Sequence, residues 1–262
     1  MAPIALTRDI SPALAACELT HLPRQPIDLD LARAQHREYE AALAGAGCRV
    51  ERLPADPALP DCVFIEDAAI AVDELAIITR PGAESRRPET AAVAEALARY
   101  RPVVHIEAPA IIDGGDVLVI GRRVFVGTSS RTNDAAVAQL RLHLQPCGYS
   151  VCAVQVHGCL HLKSAVTEVG DDTVLMNPDW IDATAFDRFE VIDIHPQERY
   201  AANALRIGET IIYPAAFPRT ADRLAGRGLR LHLIDASELA KAEGAVTCCS
   251  IIVKDSDGHD LE

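Results

Sequence analysis

No stretch of the 262 residues comes near the about 18–20 consecutive apolar residues that a membrane span requires. The opening MAPIALTRDISPAL has no basic segment ahead of an apolar one, so a secretory signal is not expected. Basic runs are missing as well. Against 25 lysines and arginines stand 38 aspartates and glutamates, a net charge of −13. Such a chain suits neither nucleic acid nor an anionic membrane. A small molecule, especially a cation, is the better partner. The eight cysteines (Cys17, Cys48, Cys62, Cys147, Cys152, Cys159, Cys248 and Cys249) contain no C-x-x-C. Without an export signal they read as reduced thiols of a cytoplasmic protein, most of them small buried hydrophobes.

What the chain does have is a repeat. It is 49% hydrophobic and 24% charged, enough for one core. Five β-rich runs start at residues 62, 114, 161, 201 and 248, 40–52 residues apart. Four of them contain a turn signal between two strand-like halves: Asp73-Glu74, Gly121-Arg122, Gly170-Asp171 and Gly208-Glu209. A helical stretch follows each of these four: RPETAAVAEALARY, TNDAAVAQLRLHL, NPDWIDATAF and FPRTADRLAGRG. Their starts carry Pro88, Thr132 with Asn133, and Asn177 with Pro178, and the last stretch ends on Gly226 and Gly228. A short strand closes each unit, at 103–106, 151–156, 189–194 and 229–234.

The fifth run, CCSIIVKD, lacks a second strand, and the N-terminal APIALTR supplies one. The expected fold is therefore α/β: a five-bladed, pseudo-symmetric propeller closed by pairing of the N- and C-terminal strands. It would be a single domain over residues 1–254, with the polar DSDGHDLE of 255–262 as a flexible tail. An ordinary doubly wound α/β sheet is the alternative.

Candidate chemistry clusters at the run starts. In GAVTCCSIIVKD, Cys248 and Cys249 would begin a strand and point to opposite faces, one toward a site and one toward packing. A nucleophilic thiol needs a base, and His161 holds the equivalent place in the third run. His157, Cys159 and His161 alternate as three ligands on one strand face would, but no fourth ligand group is evident, so no metal is expected. PDCVFIED carries Asp61, Glu66 and Asp67, and IIDGGDV carries Asp113 and Asp116. Asp116 reads as a turn cap. The others, converging, would cage a cation, and a planar guanidinium matches paired carboxylates well. Arg86 and Arg131, each in a loop after its run, read singly as surface charges and together as a clamp for a substrate carboxylate.

Six motifs now stand in order: LPDCVFIED, ITRPGAESRR, DGGDVL, VGTSSRTN, LHLKS and TCCS. Together they resemble the dimethylarginine dimethylaminohydrolase family of the guanidine-modifying superfamily, whose fold is a five-bladed α/β propeller. The likeness runs from about residue 28 to 254. It implies hydrolysis of methylated arginines to citrulline without a cofactor. Cys248 would be the nucleophile, His161 the general acid and base, and Asp113 the acid that positions both the guanidinium and His161. Glu66 and Asp67 would contact the guanidinium side, and Asp61, Arg86 and Arg131 the amino-acid end. Leu19, in a lid spanning ISPALAACELTHLPRQPID, and Ala242 would touch substrate through their main chains. The resemblance implies a monomer or homodimer whose partner is the small substrate. An arginine deiminase-like enzyme of the same superfamily, or a non-catalytic binding propeller, are the competing functions.

Overall fold

The computed structural model describes residues 2–254; the tail expected over 255–262 lies outside them. The strands form five three-stranded sheets. The first sheet contains β1 (Ile4–Arg8), β2 (Arg49–Leu53) and, from the far end of the chain, β15 (Ile251–Val253). The second contains β3 (Ala69–Ala71), β4 (Ala76–Ile78) and β5 (Val103–His105). The third holds β6 (Val117–Ile120), β7 (Arg123–Thr128) and β8 (Ser150–Gln155). The fourth holds β9 (Val166–Gly170), β10 (Thr173–Met176) and β11 (Glu190–Asp193). The fifth holds β12 (Leu205–Ile207), β13 (Thr210–Pro214) and β14 (Arg230–Ile234).

Every sheet repeats one plan. Its middle strand is antiparallel to one neighbour across a hairpin and parallel to the other across a longer crossover, as in β3–β4–β5. In the first sheet β15 replaces the hairpin partner, with Ile4 opposite Val253 and Leu6 opposite Ile251. The two ends of the chain therefore pair, as the repeat requires. Residues of β3, β6, β9, β12 and β15 all line one central cavity of about 350 Å³. Five apolar clusters fill the junctions between successive sheets. The one containing Ile207, Ile212, Ala5 and Leu43 joins the fifth sheet to the first.

Every crossover but the one from β10 to β11 carries an α-helix. In α1 (Leu29–Gly45), Asp28 caps the start by accepting from the backbone N–H of Asp30 and Leu31, and Ala32, Tyr39 and Leu43 face the core. Helix α2 (Thr90–Leu97) follows a 3-10 turn, Glu84–Glu89, in which Pro88 sits. Helix α3 (Asp134–Leu144) is capped by Asn133 as expected. Two further helices belong to the fourth and fifth units: α4 (Leu162–Ala165) and α5 (Pro218–Ala225). Then α6 (Ser237–Ala240) leads into the C-terminal segment. No helix among the described residues is long and apolar enough to cross a membrane.

Two expectations need correction. NPDWIDATAF is not an α-helix; only Ala183–Phe186 forms a 3-10 turn. The Asn177 side chain accepts from Asp179 N–H in a local turn, and Ile181 bridges to Val156 in extended pairing, so the segment is committed before a helix can nucleate. The third turn is also displaced by one residue. Gly170 stays in β9, and Asp172 takes the left-handed conformation at φ +48°. Aspartate tolerates that region better than most residues.

Candidate active site

The runs were expected to begin as strands, but each site-bearing one opens with a tight turn. Ile65–Ala68 and Gly114–Asp116 are 3-10 turns. His161 caps α4. Cys248 and Cys249 lie in a turn over 246–249, and the strand begins only at Ile251. The two thiols still diverge, by turn geometry rather than strand alternation. Cys248 is half-buried in a cavity with His161, whereas Cys249 is buried beside Gln35, Tyr39 and Leu239.

Hydrogen bonds lock these turns to one another. Glu66 N–H donates to Cys248 O at 3.1 Å. Asp116 is fully buried and accepts from the Ser129 and Thr132 hydroxyls, both at 2.7 Å, and from Leu162 N–H at 2.9 Å. It thus fastens the start of the helix that His161 caps, which matches its reading as a turn cap. Burial pushes the Asp116 carboxyl up to about 6. The Asn203 amide donates to Lys163 O and Thr247 Oγ1 and accepts from Thr247 N–H, tying the His161 turn to the Cys248 turn. The paired glycines of DGGD are steric necessities. A Cβ on Gly114 would lie 2.0 Å from Glu66 O, and one on Gly115 would lie 2.6 Å from His161 Nδ1.

Cys248, His161, Asp61, Asp67, Arg86, Arg131 and Ala242 line a single small cavity. Asp113 lies behind it, buried, with Oδ2 3.0 Å from His161 Nε2 and 3.6 Å from Arg131 Nη1. Gly82 N–H holds its other oxygen at 2.9 Å. Asp67 accepts from Gly115 N–H at 2.9 Å and pairs with Arg86 at 2.6 Å. Asp61 accepts from Glu18 N–H.

Three predicted residues are placed differently. Glu66 faces the central cavity, where Lys163 and the Thr247 hydroxyl bind its carboxylate. Leu19 packs on the first core cluster and is not among the residues lining the small cavity. Arg86, expected in an exposed loop, is buried within the Glu84–Glu89 turn. Its Nε binds Glu89, Nη1 binds Asp67, and Nη2 reaches Glu89 and Phe64 O, leaving about one N–H for a ligand. The alternating His157, Cys159 and His161 share no strand face: His157 is exposed in a loop while the other two are buried. A different trio, Asp67, Asp113 and His161, brings its donor atoms within 4.8 Å of one another. Glu18, Phe64, Leu160 and Glu243 also line the cavity and were missed. Glu18 and Glu243 were legible only as neighbours of Leu19 and Ala242.

The electrostatics are those of a charged acid beside a neutral thiol. Burial would depress the His161 imidazolium, but the Asp67 charge, the Asp113 hydrogen bond and the Asp116 charge outweigh it, raising His161 to about 9. It carries its proton at neutral pH. Burial works against the Asp67 charge, yet His161 and Arg86 bring that carboxyl down to about 2. Burial, then the Glu66 and Asp67 charges, push the Cys248 thiol well up. Iodoacetamide should therefore alkylate Cys248 of the free protein ever faster as pH rises past the ordinary thiol value of about 8.5. Peptide mapping across a pH series checks this, and a rate plateau below that pH would contradict it.

Comparison with known proteins places the chain in a family. Residues 23–217 match the family model described as N,N dimethylarginine dimethylhydrolase, eukaryotic. The N(G),N(G)-dimethylarginine dimethylaminohydrolase of Streptomyces coelicolor is 44% identical over 255 residues, covering 96% of this chain and 97% of that protein. The enzyme of that name from Pseudomonas aeruginosa is 37% identical over 226 residues, covering 85% and 89%. A solved structure of the Pseudomonas enzyme, a cysteine-to-serine mutant complexed with citrulline, superposes with a TM-score of 0.90 at 34% identity, covering 96% of this chain and 99% of that one. Sequence and fold agree over nearly the whole length, and the chain belongs to the dimethylarginine dimethylaminohydrolase family.

Proposed function

We propose that this protein hydrolyses Nω-methylated arginines to citrulline and methylamine or dimethylamine. The observation that carries the reading is the shared cavity of Cys248, His161, Asp61, Asp67 and Arg131. It sets a thiol and a protonated imidazole among carboxylates, with a cation at one side.

The Cys248 thiol loses its proton to solvent when the substrate cation arrives, because a guanidinium beside it offsets the burial and carboxylates that hold it neutral, and the released amine later takes up a proton from solvent. The thiolate attacks the central guanidinium carbon and forms a C–S bond. His161 gives its proton to the departing amine as the C–N bond breaks, leaving a thiouronium on Cys248. The neutral His161 then takes a proton from water, whose oxygen bonds to the same carbon. The C–S bond breaks, citrulline leaves, and the thiol and imidazolium are restored. Asp113 positions His161 through its 3.0 Å contact. Asp67 favours the imidazolium and, with Asp113, the bound cation. Asp61 suits the substrate ammonium, and Arg131, aided by the one free Arg86 N–H, its carboxylate. Glu66 acts by holding the Cys248 turn through its main chain.

The test is to incubate the protein with asymmetric dimethylarginine and, separately, with arginine, and to assay citrulline, dimethylamine and ammonia. Citrulline with equimolar dimethylamine from the first is the expected result. Citrulline and ammonia from arginine alone would move the protein to the deiminases. No product from either would overturn the reading.

A further inference from the structure

The small cavity measures about 20 Å³, room for a water molecule and far less than a methylated arginine needs. Above it lies the segment from Ser11 to Leu22, tied down at several points. The Arg131 guanidinium donates to Thr20 Oγ1 at 3.0 Å, Glu18 N–H donates to Asp61, and the Ser85 hydroxyl donates to Glu18 Oε1 at 2.6 Å. The densest tie is Glu243. Its one carboxylate accepts three consecutive backbone N–H groups, from Thr20 at 3.0 Å and from His21 and Leu22.

Glu243 holds an unusual backbone to do this. Its φ is +58°, a left-handed conformation that a glutamate rarely adopts. The surrounding chain enforces it. Glu243 N–H and Gly244 N–H bond back to Ala240 and Leu239, and a Cβ on Gly244 would strike the Phe64 ring at 2.2 Å. The carboxylate is thus presented from a fixed turn, four residues before Thr247 and directly after Ala242.

We infer that Glu243 is a positioning residue of this site: it clamps the lid at Thr20–Leu22 and so sets how fast substrate and product exchange. The clamp also reaches the chemistry, because Thr20 holds Arg131, and Arg131 stands 3.6 Å from Asp113, the carboxylate beside His161. This rests on the proposed function only for its kinetic consequence. The lid contact is a property of the free protein.

The informative variant is Glu243→Gly, which removes the carboxylate while accepting φ +58° without strain. Amide hydrogen exchange at 20–22 and iodoacetamide alkylation of Cys248 should each rise by about tenfold or more in the free protein. Glu243→Gln, which keeps an acceptor oxygen, should restore part of the protection. With dimethylarginine, Glu243→Gly should raise KM by a larger factor than it lowers kcat. Exchange and alkylation within about twofold of wild type in Glu243→Gly would overturn the inference. So would equal loss of protection throughout the protein, which marks a fold defect. Absence of wild-type turnover with the exchange effect intact would refute the function and leave the clamp standing.

Discussion

Replacing Cys248 with serine is expected to cut citrulline formation by about ten-thousandfold or more and to abolish any covalent adduct seen by mass spectrometry. The swap removes one sulfur in favour of oxygen in a half-buried turn, so the fold should persist. The chemistry should not. Burial and the Glu66 and Asp67 charges already oppose ionisation of the thiol, and they oppose a less acidic hydroxyl more strongly. Cys249 cannot substitute. It packs beside Tyr39 and Leu239, away from His161, and its own thiol is pushed well up by burial and by Cys248. Cys249→Ser should therefore stay within about threefold of wild type, since a serine hydroxyl there has the acceptor the thiol uses, Ala245 O. Turnover of Cys248→Ser near the wild-type rate would remove Cys248 from the mechanism.

The architecture was legible in the chain because its punctuation is periodic. Gly121-Arg122 and Gly208-Glu209 occupy the hairpin turns, with both glycines at φ +56°. Asn133 caps the helix that its residue type announced. The pairing of β1 with β15 followed from counting, since one unit lacked a strand and the N-terminus had one to spare. Local detail at the run starts was not legible. CVFIED is apolar and branched enough to pass as strand, yet contacts distant in sequence bend it into a 3-10 turn, among them Glu66 to Cys248. The same holds for Arg86: RPGAESRRPE looks solvent-facing by composition, and only Asp67 and Glu89, brought together by the fold, make a buried arginine affordable there. Glu243 was legible only as the neighbour of Ala242; its role was not, because its partners lie more than 220 residues away.

His161→Gly separates the two proton transfers. Dimethylamine is a poor leaving group without a proton, so turnover of dimethylarginine should fall by about a hundredfold to ten-thousandfold. S-methylthiocitrulline, an isothiourea, instead releases methanethiol, which departs readily as a thiolate. It should still form the thiouronium on Cys248 in the variant. The adduct should then persist, because no neutral imidazole remains to activate water, and mass spectrometry of the intact chain would show it accumulate. Wild type offers the complementary pH test. With His161 raised to about 9, the imidazolium is fully present below its ordinary value and disappears as pH rises through 9. Dimethylarginine turnover should accordingly decline above that pH, while thiouronium formation from the S-methyl substrate should keep rising with thiolate content. A variant that hydrolysed dimethylarginine undiminished, or a wild type whose two substrates shared one alkaline decline, would take the proton from some group other than His161.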